Sequence, residues 1–488
     1  MKNFLYKTYN INKHHTNRKI RMSILEKIQK YNNIEAEDLE NIKLKLMASH
    51  PFIFLRGTDE IFFEFIAQDK FKNHDIFDNP KLTCWSSNDS HIGNFGFSNI
   101  GCSNNPEVHY EINDYDEAFL GNPFYDILRL ISSLYYYLEE FNIKIEQEHP
   151  DEFINIKPSE FILLFINEYK KTIKSKNYDI DWEKYPFMSK MKSKSEKKAD
   201  NEDKGSRYNK YTTLTNKDKI KLNVENDKLE KIDKKLRKQL IEKLEDLYYP
   251  NKILDVAKRK TAGVGSSHLD RYYFILKKEA GEVLMEIKEQ TLPVHLNYMK
   301  KYKDTYKKEK IKKNFGHIHH EAILKMVGKD YDQNMKNFNF GDKNFISRTS
   351  FNAKLKVSSD DMFSKDMDTV ELKSNLMEYI SLAANRLASA HMNSVDNNIE
   401  DKEEAIKVFQ EELLCQLDNN LDTVLGMAKS VYNHIDIKYS QFLREYYLNI
   451  GQLIGKKEFK KVKKSTLETA GSSSSMNKST VSSKYFKK

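Results

Sequence analysis

Asp89 and Asn94 stand five positions apart in the segment NDSHIGNFGF, and residues of these two types at this spacing can support phosphoryl transfer. A carboxylate can orient a hydroxyl group and accept its proton as the oxygen attacks. A neutral amide oxygen a few residues later can bind Mg²⁺, which prefers hard oxygen ligands. Because Asp and Asn are abundant in this chain, the spacing taken alone fits an ordinary surface loop better than a catalytic loop.

A second group of carboxylates follows closely. Two apolar stretches, residues 95–100 and 108–112, flank the turn GCSNNPE and predict a β-hairpin that leads into the segment NDYD. At the end of such a hairpin the carboxylate of Asp114 can meet Asn94 and complete a set of oxygen ligands for Mg²⁺, with Asp116 as a further candidate. A hairpin that ends in these carboxylates favours a metal site over a solvated turn.

A phosphate-binding element is indicated further along the chain. Gly263, Gly265 and Ser266 belong to the segment GVGS, and Lys288 lies in the second of two predicted strands that follow, YYFILKK and VLMEIKEQ. Backbone N–H groups of a glycine-containing turn can approach a phosphate, and a strand lysine can reach its oxygens as a point charge. An ordinary hairpin turn explains the glycines at least as well, and an exposed strand lysine explains Lys288 about equally.

The next predicted helix supplies a partner for the lysine. Glu321 lies on this helix and is expected to orient Lys288. His317, His319 and His320 beside it are not accompanied by a Cys or acidic ligand pattern. We therefore expect the three histidines to form a hydrated helix start.

The segment that begins at Asp114, DYDEAFLGNPFYDI, resembles the pattern D-[FW]-x-x-A-x-x-G-x-P-x-x-D-[LI] of the aminoglycoside and choline phosphotransferases. The spacing of Asp89 and Asn94 is also that of a kinase catalytic loop. The resemblance implies that Asp89 is the catalytic base, His91 a supporting loop residue, and Asn94 and Asp114 metal ligands. It also implies that Asp126 braces the loop from the start of a helix.

The order of these parts differs from that in ordinary kinases, where the glycine loop and the lysine precede the catalytic loop. Here Asp89 precedes Gly263. The predicted helix EYISLAANRLASAH, which ends at His391, resembles the helix that normally leads into a catalytic loop. We therefore expect an α+β protein with a protein-kinase-like two-lobed fold, circularly permuted, with helical additions at both ends.

The same ordered motifs resemble the domain-of-unknown-function family 2252, an uncharacterised bacterial family. They are HPFIFLRG (50–57), NDSHIGNFG (88–96), NDYDEAFLGNPFYDILRL (113–130), GVGS (263–266) and IKEQ (287–290). Asn88 replaces the family's glycine before the catalytic Asp, and Asn is the non-glycine residue that adopts a positive φ most easily. Gln290 replaces an alanine. The resemblance covers most of residues 20–395.

Arg56, in the motif FLRG, precedes the catalytic segment. Its guanidinium group can clamp a phosphate with two parallel hydrogen bonds. A buried structural ion pair is an equally good explanation for an arginine at this position.

Changes of composition along the chain predict six consecutive parts. These are an N-terminal helical segment with the FLRG motif (1–80), the catalytic-loop and metal-ligand part of the large lobe (81–185), a low-complexity charged insertion (186–225), a nucleotide-binding β-rich lobe with the glycine loop and lysine (226–360), the helical remainder of the large lobe (361–455) and a disordered basic tail (456–488).

The net charge of +9 comes mostly from the tail, because residues 456–488 contain ten Lys and two Glu. The remaining residues are close to neutral, which argues against a nucleic-acid partner. No apolar run reaches the roughly 18 residues of a membrane span. The three Cys are too few for a disulfide framework or a thiolate zinc site, so we expect a cytoplasmic protein.

Together these features predict a kinase-like phosphotransferase that uses ATP and Mg²⁺ and acts on an unknown hydroxyl acceptor, either a small molecule or a protein. Two alternatives stay open: a nucleotide-binding pseudokinase or regulatory scaffold, and an enzyme that transfers AMP. A third is a non-enzymatic protein that binds anionic surfaces through its lysine-rich tail.

Overall fold

The computed structural model describes residues 22–68, 75–100, 107–149, 156–199, 206–215, 217, 219–260, 269–299, 315–328, 331–350, 355–363 and 367–469. The chain forms two compact units. One contains Met1–Asn41 and Ser440–Lys488, of which residues 22–41 and 440–469 are described, and the other contains Ile42–Tyr439.

Helices and strands both contribute to the structure, as expected for an α+β protein. The helices are α1 (Ile24–Tyr31), α2 (Ile42–Ser49), α3 (Pro51–Arg56), α4 (Asp59–Ile66), α5 (Asp75–Asp78), α6 (Pro123–Glu148), α7 (Pro158–Ser175), α8 (Pro186–Ala199), α9 (Arg207–Tyr211), α10 (Lys234–Tyr248), α11 (Phe315–Met326), α12 (Ser359–Met362), α13 (Thr369–Asn393), α14 (Lys402–Asn419) and α15 (Leu421–Thr469). Short 3₁₀ helices cover Pro80–Leu82, Ile92–Asn94, Trp182–Lys184 and Val294–Asn297.

The strands are β1 (Cys84–Ser86), β2 (Phe95–Ile100), β3 (Glu107–Ile112), β4 (Phe119–Gly121), β5 (Thr212–Leu214), β6 (Ile220–Leu222), β7 (Leu229–Glu230), β8 (Lys252–Arg259), β9 (Arg271–Lys278), β10 (Gly281–Gln290), β11 (Lys336–Phe340), β12 (Lys343–Thr349) and β13 (Leu355–Lys356). Each paired strand runs antiparallel to its neighbours.

In the smaller unit, α1 begins at a capping box. The hydroxyl of Ser23 accepts a hydrogen bond from the Glu26 backbone N–H at 3.1 Å, and the Ser23 N–H donates to the Glu26 carboxylate at 2.8 Å. These two bonds satisfy N–H groups that a helix start otherwise leaves unpaired. The Leu25 N–H then donates to Glu445 Oε2 of α15 at 2.8 Å, which ties α1 to that helix.

A six-stranded sheet with the order β11-β12-β10-β9-β8-β7 dominates the second half of the larger unit. The predicted hairpin of YYFILKK and VLMEIKEQ is confirmed as the pair β9–β10. One face of the sheet packs against α10 through a cluster of buried residues that includes Leu244 and Phe274. On the other face Tyr273 and Leu284 pack against Tyr211 of α9. Helix α11 lies between β10 and β11 in the chain and packs beside β12.

A smaller sheet holds the segment that sequence analysis singled out. The predicted hairpin is confirmed as β2 paired with β3, and β13 adds to the other edge of β2. Gly96 lies in the middle strand, where a Cβ atom would come within 2.7 Å of the Leu355 carbonyl oxygen and within 2.6 Å of the Asn113 amide. Only glycine fits this close approach of backbones without displacing a neighbour.

Two long helices complete the larger unit around this sheet. The helix start expected at Asp126 is that of α6, whose first turn begins with Pro123 and is capped by Asn122, which accepts the Phe124 N–H. The predicted helix that ends at His391 belongs to α13. Both helices bury most of their length, because apolar residues occupy more than one face of each.

Residues 186–225, predicted as a charged insertion, form α8, α9, β5 and β6 over their described part. Met188 and Ser195 of α8 are fully buried, and the Met188 N–H donates to the Glu378 carboxylate of α13 at 2.9 Å. Met188, Met191 and Ser195 of α8 are therefore spaced so that they reach the core. At the other end of the chain α15 extends to Thr469, and the rest of the predicted basic tail, residues 470–488, lies outside the described residues.

None of the described helices combines the length and the apolar character needed to cross a bilayer.

Candidate active site

The loop that contains Asp89 is held in place by a buried carboxylate. Asp126, in the first turn of α6, accepts hydrogen bonds at 2.8 Å from the backbone N–H groups of Ser87 and Asn88. The same carboxylate accepts from Nε2 of His391 at 3.1 Å, and the Tyr169 hydroxyl donates to Nδ1 of that ring at 2.7 Å. Side chains from α6, α7 and α13 thus fix the loop, which is the bracing contact that sequence analysis predicted for Asp126.

Asn88 takes a backbone conformation that most residues avoid. Its φ is +57°, in the left-handed region, where Asn is the most easily accommodated residue after glycine. The Asn88 side-chain amide donates to the backbone oxygens of Ser86 at 3.3 Å and Glu117 at 3.1 Å. Asn at position 88 is therefore compatible with the loop geometry.

Asp89 shares a buried arginine with a second carboxylate. Arg129 of α6 donates to Asp89 Oδ1 from Nη2 at 3.0 Å and from Nε at 3.3 Å, and its Nη2 also contacts Asp59 Oδ1. Nη2 further donates to the Leu55 carbonyl oxygen at 2.9 Å, and the guanidinium group lies over the Phe62 ring. The Arg129 side chain is fully buried, so this arrangement is shielded from water.

The surroundings make Asp89 a stronger base than an ordinary aspartate. Burial raises the pKa of Asp89 well above its usual value, and the nearby carboxylates of Asp59 and Asp114 raise it further, whereas Arg129 lowers it. A carboxylate with a raised pKa accepts a proton more readily. The effect of Asp114 on this pKa indicates that the two acids are close enough for their charges to interact.

His91 and Arg56 contact each other beside Asp89. The Arg56 Nε–H donates to Nε2 of His91 at 3.3 Å, and the same nitrogen is 3.8 Å from Asp89 Oδ2. Burial and the nearby Arg56 charge lower the pKa of His91 well below its usual value, so the ring is neutral with its proton on Nδ1. Among the described residues no carboxylate lies within 4 Å of Arg56, so its partner is His91 and not an acid.

Asn94 is oriented so that its side-chain oxygen is available to a cation. Its Nδ2 donates to the Asp89 backbone oxygen at 2.8 Å and to Asp89 Oδ2 at 3.1 Å. The carbonyl oxygen Oδ1 is then the side-chain atom left for a cation. The backbone oxygen of Asn94 accepts the Asn113 N–H at 2.7 Å, which places Asp114 one residue from a direct contact with the loop.

Lys288 reaches the acidic end of the hairpin from β10. Its Nζ is 3.6 Å from Asp114 Oδ1 and also contacts Asp116 Oδ2. The lysine side chain is 3% exposed, whereas those of Asp114 and Asp116 are 42% and 26% exposed. Burial lowers the pKa of Lys288 to about 8, although Asp114 raises it. The structure therefore brings together Asp89, Asn94, Asp114 and Lys288.

Glu321 does not face Lys288. Its carboxylate is 3.9 Å from Nε2 of His317, and the described carboxylates within ion-pair distance of Lys288 are Asp114 and Asp116. The residue of α11 that is buried on the lysine side is His319, two positions earlier and thus about 200° around the helix. The expectation that His319 belongs to a hydrated helix start is therefore wrong, because this side chain is buried.

His319 is fixed as a neutral ring with a defined tautomer. Gln290 donates its Nε2 to the backbone oxygens of Lys288 at 3.3 Å and Glu289 at 3.1 Å, so its Oε1 accepts from Nδ1 of His319. Nε2 of His319 is buried and has no hydrogen-bond partner among the described residues. Burial and the Lys288 charge lower the pKa of His319 to about 3.

The donor set suits Mg²⁺ better than a closed metal site. In the described part of the chain no group of three or more His, Cys, Asp or Glu side chains is arranged to bind a metal ion. Mg²⁺ in phosphotransferases needs fewer protein ligands, because one or two side chains act with water and substrate phosphates. Asn94 Oδ1 and the Asp114 carboxylate are suitable ligands of this kind.

Three predicted phosphate-binding residues, Gly263, Gly265 and Ser266, lie outside the described residues. The strands on either side of them are β8 and β9, which pair from Lys252 to Lys258.

Sequence analysis missed Arg129, Asp59 and His391, which complete the surroundings of the catalytic loop. Arg129 follows Asp126 by three positions in the string DILRL, and Asp59 follows the FLRG motif by two. A helix places residues three apart on one face, so the position of Asp126 at the start of α6 was the available signal for Arg129.

A family model described as "Uncharacterized protein conserved in bacteria (DUF2252)" matches residues 36–444. No curated protein and no solved structure matches the chain. The matched range includes every described residue of the candidate site.

Proposed function

We propose, from the premise that this chain belongs to the bacterial family DUF2252, that it is a kinase-like phosphotransferase dependent on Mg²⁺ and ATP. The observation that carries the proposal is the proximity of Asp89, Asn94, Asp114 and Lys288: Asn94 donates to Asp89, Lys288 lies 3.6 Å from Asp114, and the charge of Asp114 acts on Asp89. These residues come from three separate elements, and each has the chemical type that phosphoryl transfer requires at its position.

The sheet around Lys288 supports the proposal by its connectivity. Strands β8 and β9 flank the glycine segment, the adjacent β10 carries Lys288, and helix α11 follows before β11 and β12. In protein kinases a glycine-rich loop covers the phosphates, the lysine lies on the third strand and the next helix packs beside it. The usual glutamate of that helix is absent from the lysine's surroundings, and Asp114 and Asp116 provide the negative charge.

The catalytic segment supports the proposal by its order. The loop from Asp89 to Asn94 leads into the hairpin β2–β3, which ends at Asp114. In kinases the catalytic loop supplies the base and an Asn metal ligand, and a later Asp supplies the other metal ligand. The proposal gives the two segments the corresponding roles here, and the hydrogen bond from the Asn113 N–H to the Asn94 oxygen joins them.

A circular permutation accounts for the reversed order of the two parts. Helix α13 ends beside β1, where the Trp85 N–H donates to the Ser394 oxygen at 3.1 Å and the Asp396 N–H donates to the Thr83 oxygen at 2.9 Å. A helix that resembles the one leading into a catalytic loop thus ends next to the strand that leads into Asp89. In the proposed permutation the chain keeps the kinase elements and has its ends at a different place in their order.

In the proposed reaction Asp89 accepts the proton of an acceptor hydroxyl while the hydroxyl oxygen attacks the γ-phosphorus of ATP. The bond from that phosphorus to its bridging oxygen breaks and ADP leaves. Mg²⁺, when held by Asn94 Oδ1 and Asp114, would neutralise charge on the phosphates. Lys288 supplies a further positive charge, and Asn94 holds Asp89 in position through its amide.

A pseudokinase is the second candidate, and the ion pair of Asp89 with Arg129 favours it. A base that is already bound to a guanidinium group is less available to a substrate proton. The two candidates make different predictions for γ-phosphate transfer, whereas both require nucleotide binding.

The test combines binding and transfer. Calorimetry with Mg²⁺ and ATP should show binding to the wild-type protein and at least roughly tenfold weaker binding to Asp114→Ala, because a charged metal ligand is lost. Unchanged affinity in Asp114→Ala would remove the metal assignment. Asp360→Ala, at an exposed position, is the matched control and should bind as the wild type does.

Transfer is followed with ATP labelled at either the α- or the γ-phosphate, with water or the protein itself as the acceptor. Release or transfer of the γ label by the wild type, and its loss in Asp89→Ala, would support the phosphotransferase. Binding without movement of either label would support the pseudokinase. Attachment of the α label would instead identify an AMP transferase.

A further inference from the structure

The sheet face that carries Lys288 also carries several arginines around one carboxylate. Glu286 precedes Lys288 by two residues on β10, so the two side chains share a face. Glu286 Oε1 is 3.2 Å from Arg271 Nη1 and 3.5 Å from Arg259 Nη1, and Glu286 Oε2 is 3.8 Å from Arg348 Nη2. These four residues, Glu286, Arg259, Arg271 and Arg348, are called the arginine cluster below.

The cluster carries more positive than negative charge in a largely buried place. Its four side chains are 5–16% exposed. Although burial raises the pKa of Glu286, the arginines lower it to about 2, so the carboxylate is charged and already shared among three cations. In the described part of the chain, Glu286 is the carboxylate within 4 Å of Arg259 and of Arg348. Buried charge without a matching partner is costly, which favours an anionic ligand.

One donor of the cluster has no acceptor among the described residues. Arg259 donates from Nη1 to the Tyr273 hydroxyl at 2.9 Å, while its Nε is buried without a hydrogen-bond partner. Buried donors are paired in the great majority of native structures. An oxygen-rich ligand on this face would supply the acceptor.

The apolar part of the same face is already covered. Tyr273, Ile275 and Leu284 are at most 2% exposed, and they pack with Tyr211 of α9 and Leu222 of β6. A ligand that approaches Lys288 along this face therefore meets guanidinium groups and not an open apolar slot. Flat aromatic bases are usually bound in apolar clefts with a few polar groups.

We propose that the arginine cluster binds phosphate groups, so that the donor is recognised by its phosphate chain rather than by its base. The inference rests on the proposed function, which places the reacting phosphate beside Lys288. Guanidinium groups bind phosphate oxygens through two parallel hydrogen bonds. Arg259 and Arg348 lie on different strands, so their side chains can contact two sides of one phosphate chain. Inorganic tripolyphosphate and nucleoside triphosphates share the recognised group.

The experiment measures binding of Mg²⁺-tripolyphosphate, ATP and GTP to the full chain by calorimetry. Arg259→Met and Arg348→Met should each weaken tripolyphosphate binding by about tenfold or more, because each removes a charge-assisted contact. Arg348→Lys keeps the charge but loses the planar fork, so it should lie between the wild type and Arg348→Met. Arg444→Met changes an exposed arginine of α15 and is the matched control, with unchanged binding.

Competition separates recognition of phosphate from recognition of the base. ATP and GTP should bind with affinities within about threefold of each other, and adenosine should not displace tripolyphosphate. Wild-type affinity in both methionine variants, or displacement by adenosine, would overturn the inference. Circular dichroism and thermal melting show which variants are folded. If a methionine variant is unfolded, the tripolyphosphate affinity of Arg348→Lys is used to test the inference instead.

The two proposals can fail separately. Arginine-dependent binding of tripolyphosphate without any movement of the γ label would leave the phosphate site standing and remove the phosphotransferase. Transfer that requires Asp89, together with unchanged phosphate binding in the arginine variants, would remove the phosphate site alone.

Discussion

The guanidinium group of Arg129 joins two carboxylates of the candidate site, with its Nη2 3.0 Å from Asp89 Oδ1 and also in contact with Asp59. The arginine is fully buried and Asp59 and Asp89 are 14% and 16% exposed. Arg129 thus links the Asp89 loop to the start of α4 and neutralises part of the negative charge of two neighbouring acids.

Arg129→Met should lower the free energy of unfolding by about 3–5 kcal/mol, because it leaves buried carboxylates without their cation. Urea unfolding measures the loss. The double variant Asp59→Asn/Arg129→Met should recover part of it, since one of the two unpaired charges is removed as well.

The matched control for Arg129 is Lys144→Met. Lys144 pairs with Asp360, whose side chain is 86% exposed, so the change should cost less than about 1 kcal/mol. A wild-type unfolding midpoint for Arg129→Met would contradict the structural role given to this ion pair.

Much of the catalytic segment could be predicted because its residues are close in sequence. Asp89, Asn94, Asp114 and Asp126 lie within 38 positions, and the turns and strands between them have strong local signals. A hairpin returns the chain to its starting point, so spacing along the sequence translates directly into proximity. The same holds for Lys288 within its own hairpin.

Contacts between distant segments could not be predicted in the same way. His391 reaches Asp126 from 265 positions away, and which side chain of α11 faces Lys288 depends on the rotation of that helix. An acid near a lysine suggested Glu321, but burial of the apolar side of α11 turns His319 inward instead. Charge complementarity alone does not determine which face of a helix is buried.

Composition was also a poor guide to residues 186–225. Lysines dominate α8, yet Met188, Met191 and Ser195 recur on one side of it and are buried. Three small or apolar residues at helical spacing are enough to dock a helix whose other side is solvated. A low average hydropathy conceals such a narrow stripe.

Substitutions of His319 and Glu321, both on α11, should differ in their effect on Mg²⁺-ATP binding. His319→Ala should weaken Mg²⁺-ATP binding by roughly tenfold, because it removes the partner of Gln290, whose amide is bonded to the backbone at Lys288. Glu321→Gln should leave the affinity within about twofold, since its carboxylate lies beside His317. Calorimetry on both variants checks this, and the reverse ranking would restore Glu321 as the partner of the lysine.

Lys288 should give the protein a specific dependence of stability on pH. Its pKa in the folded state is about 8, below the 10.5 of a free lysine, so the unfolded chain binds more protons between these values. The free energy of unfolding should therefore rise with pH from about 8 to 10.5, by up to roughly 3 kcal/mol from this group. Below pH 8 the cost of the buried charge is fully present.

The comparison of wild type with Lys288→Met isolates this contribution. Chemical unfolding at pH 7.5 and at pH 10 should show that the variant loses the increase that the wild type gains. Lys238→Met, at an exposed lysine of α10, is the control and should follow the wild-type profile. Parallel profiles for wild type and Lys288→Met would mean that Lys288 has an ordinary pKa.

Two glycine-to-alanine substitutions should change the free energy of unfolding in opposite directions. In Gly96→Ala the new methyl group would come within 2.7 Å of the Leu355 oxygen and 2.6 Å of the Asn113 amide, so we expect a loss of about 1–3 kcal/mol in the free energy of unfolding. Gly426→Ala lies within helix α15 with open space around its Cβ, and should gain about 0.5–1 kcal/mol. Thermal melting of both variants measures the difference. Because Asn113 precedes Asp114, Gly96→Ala should also weaken Mg²⁺-ATP binding, whereas Gly426→Ala should not; equal melting temperatures would show that β2 and β13 separate easily enough to admit a methyl group.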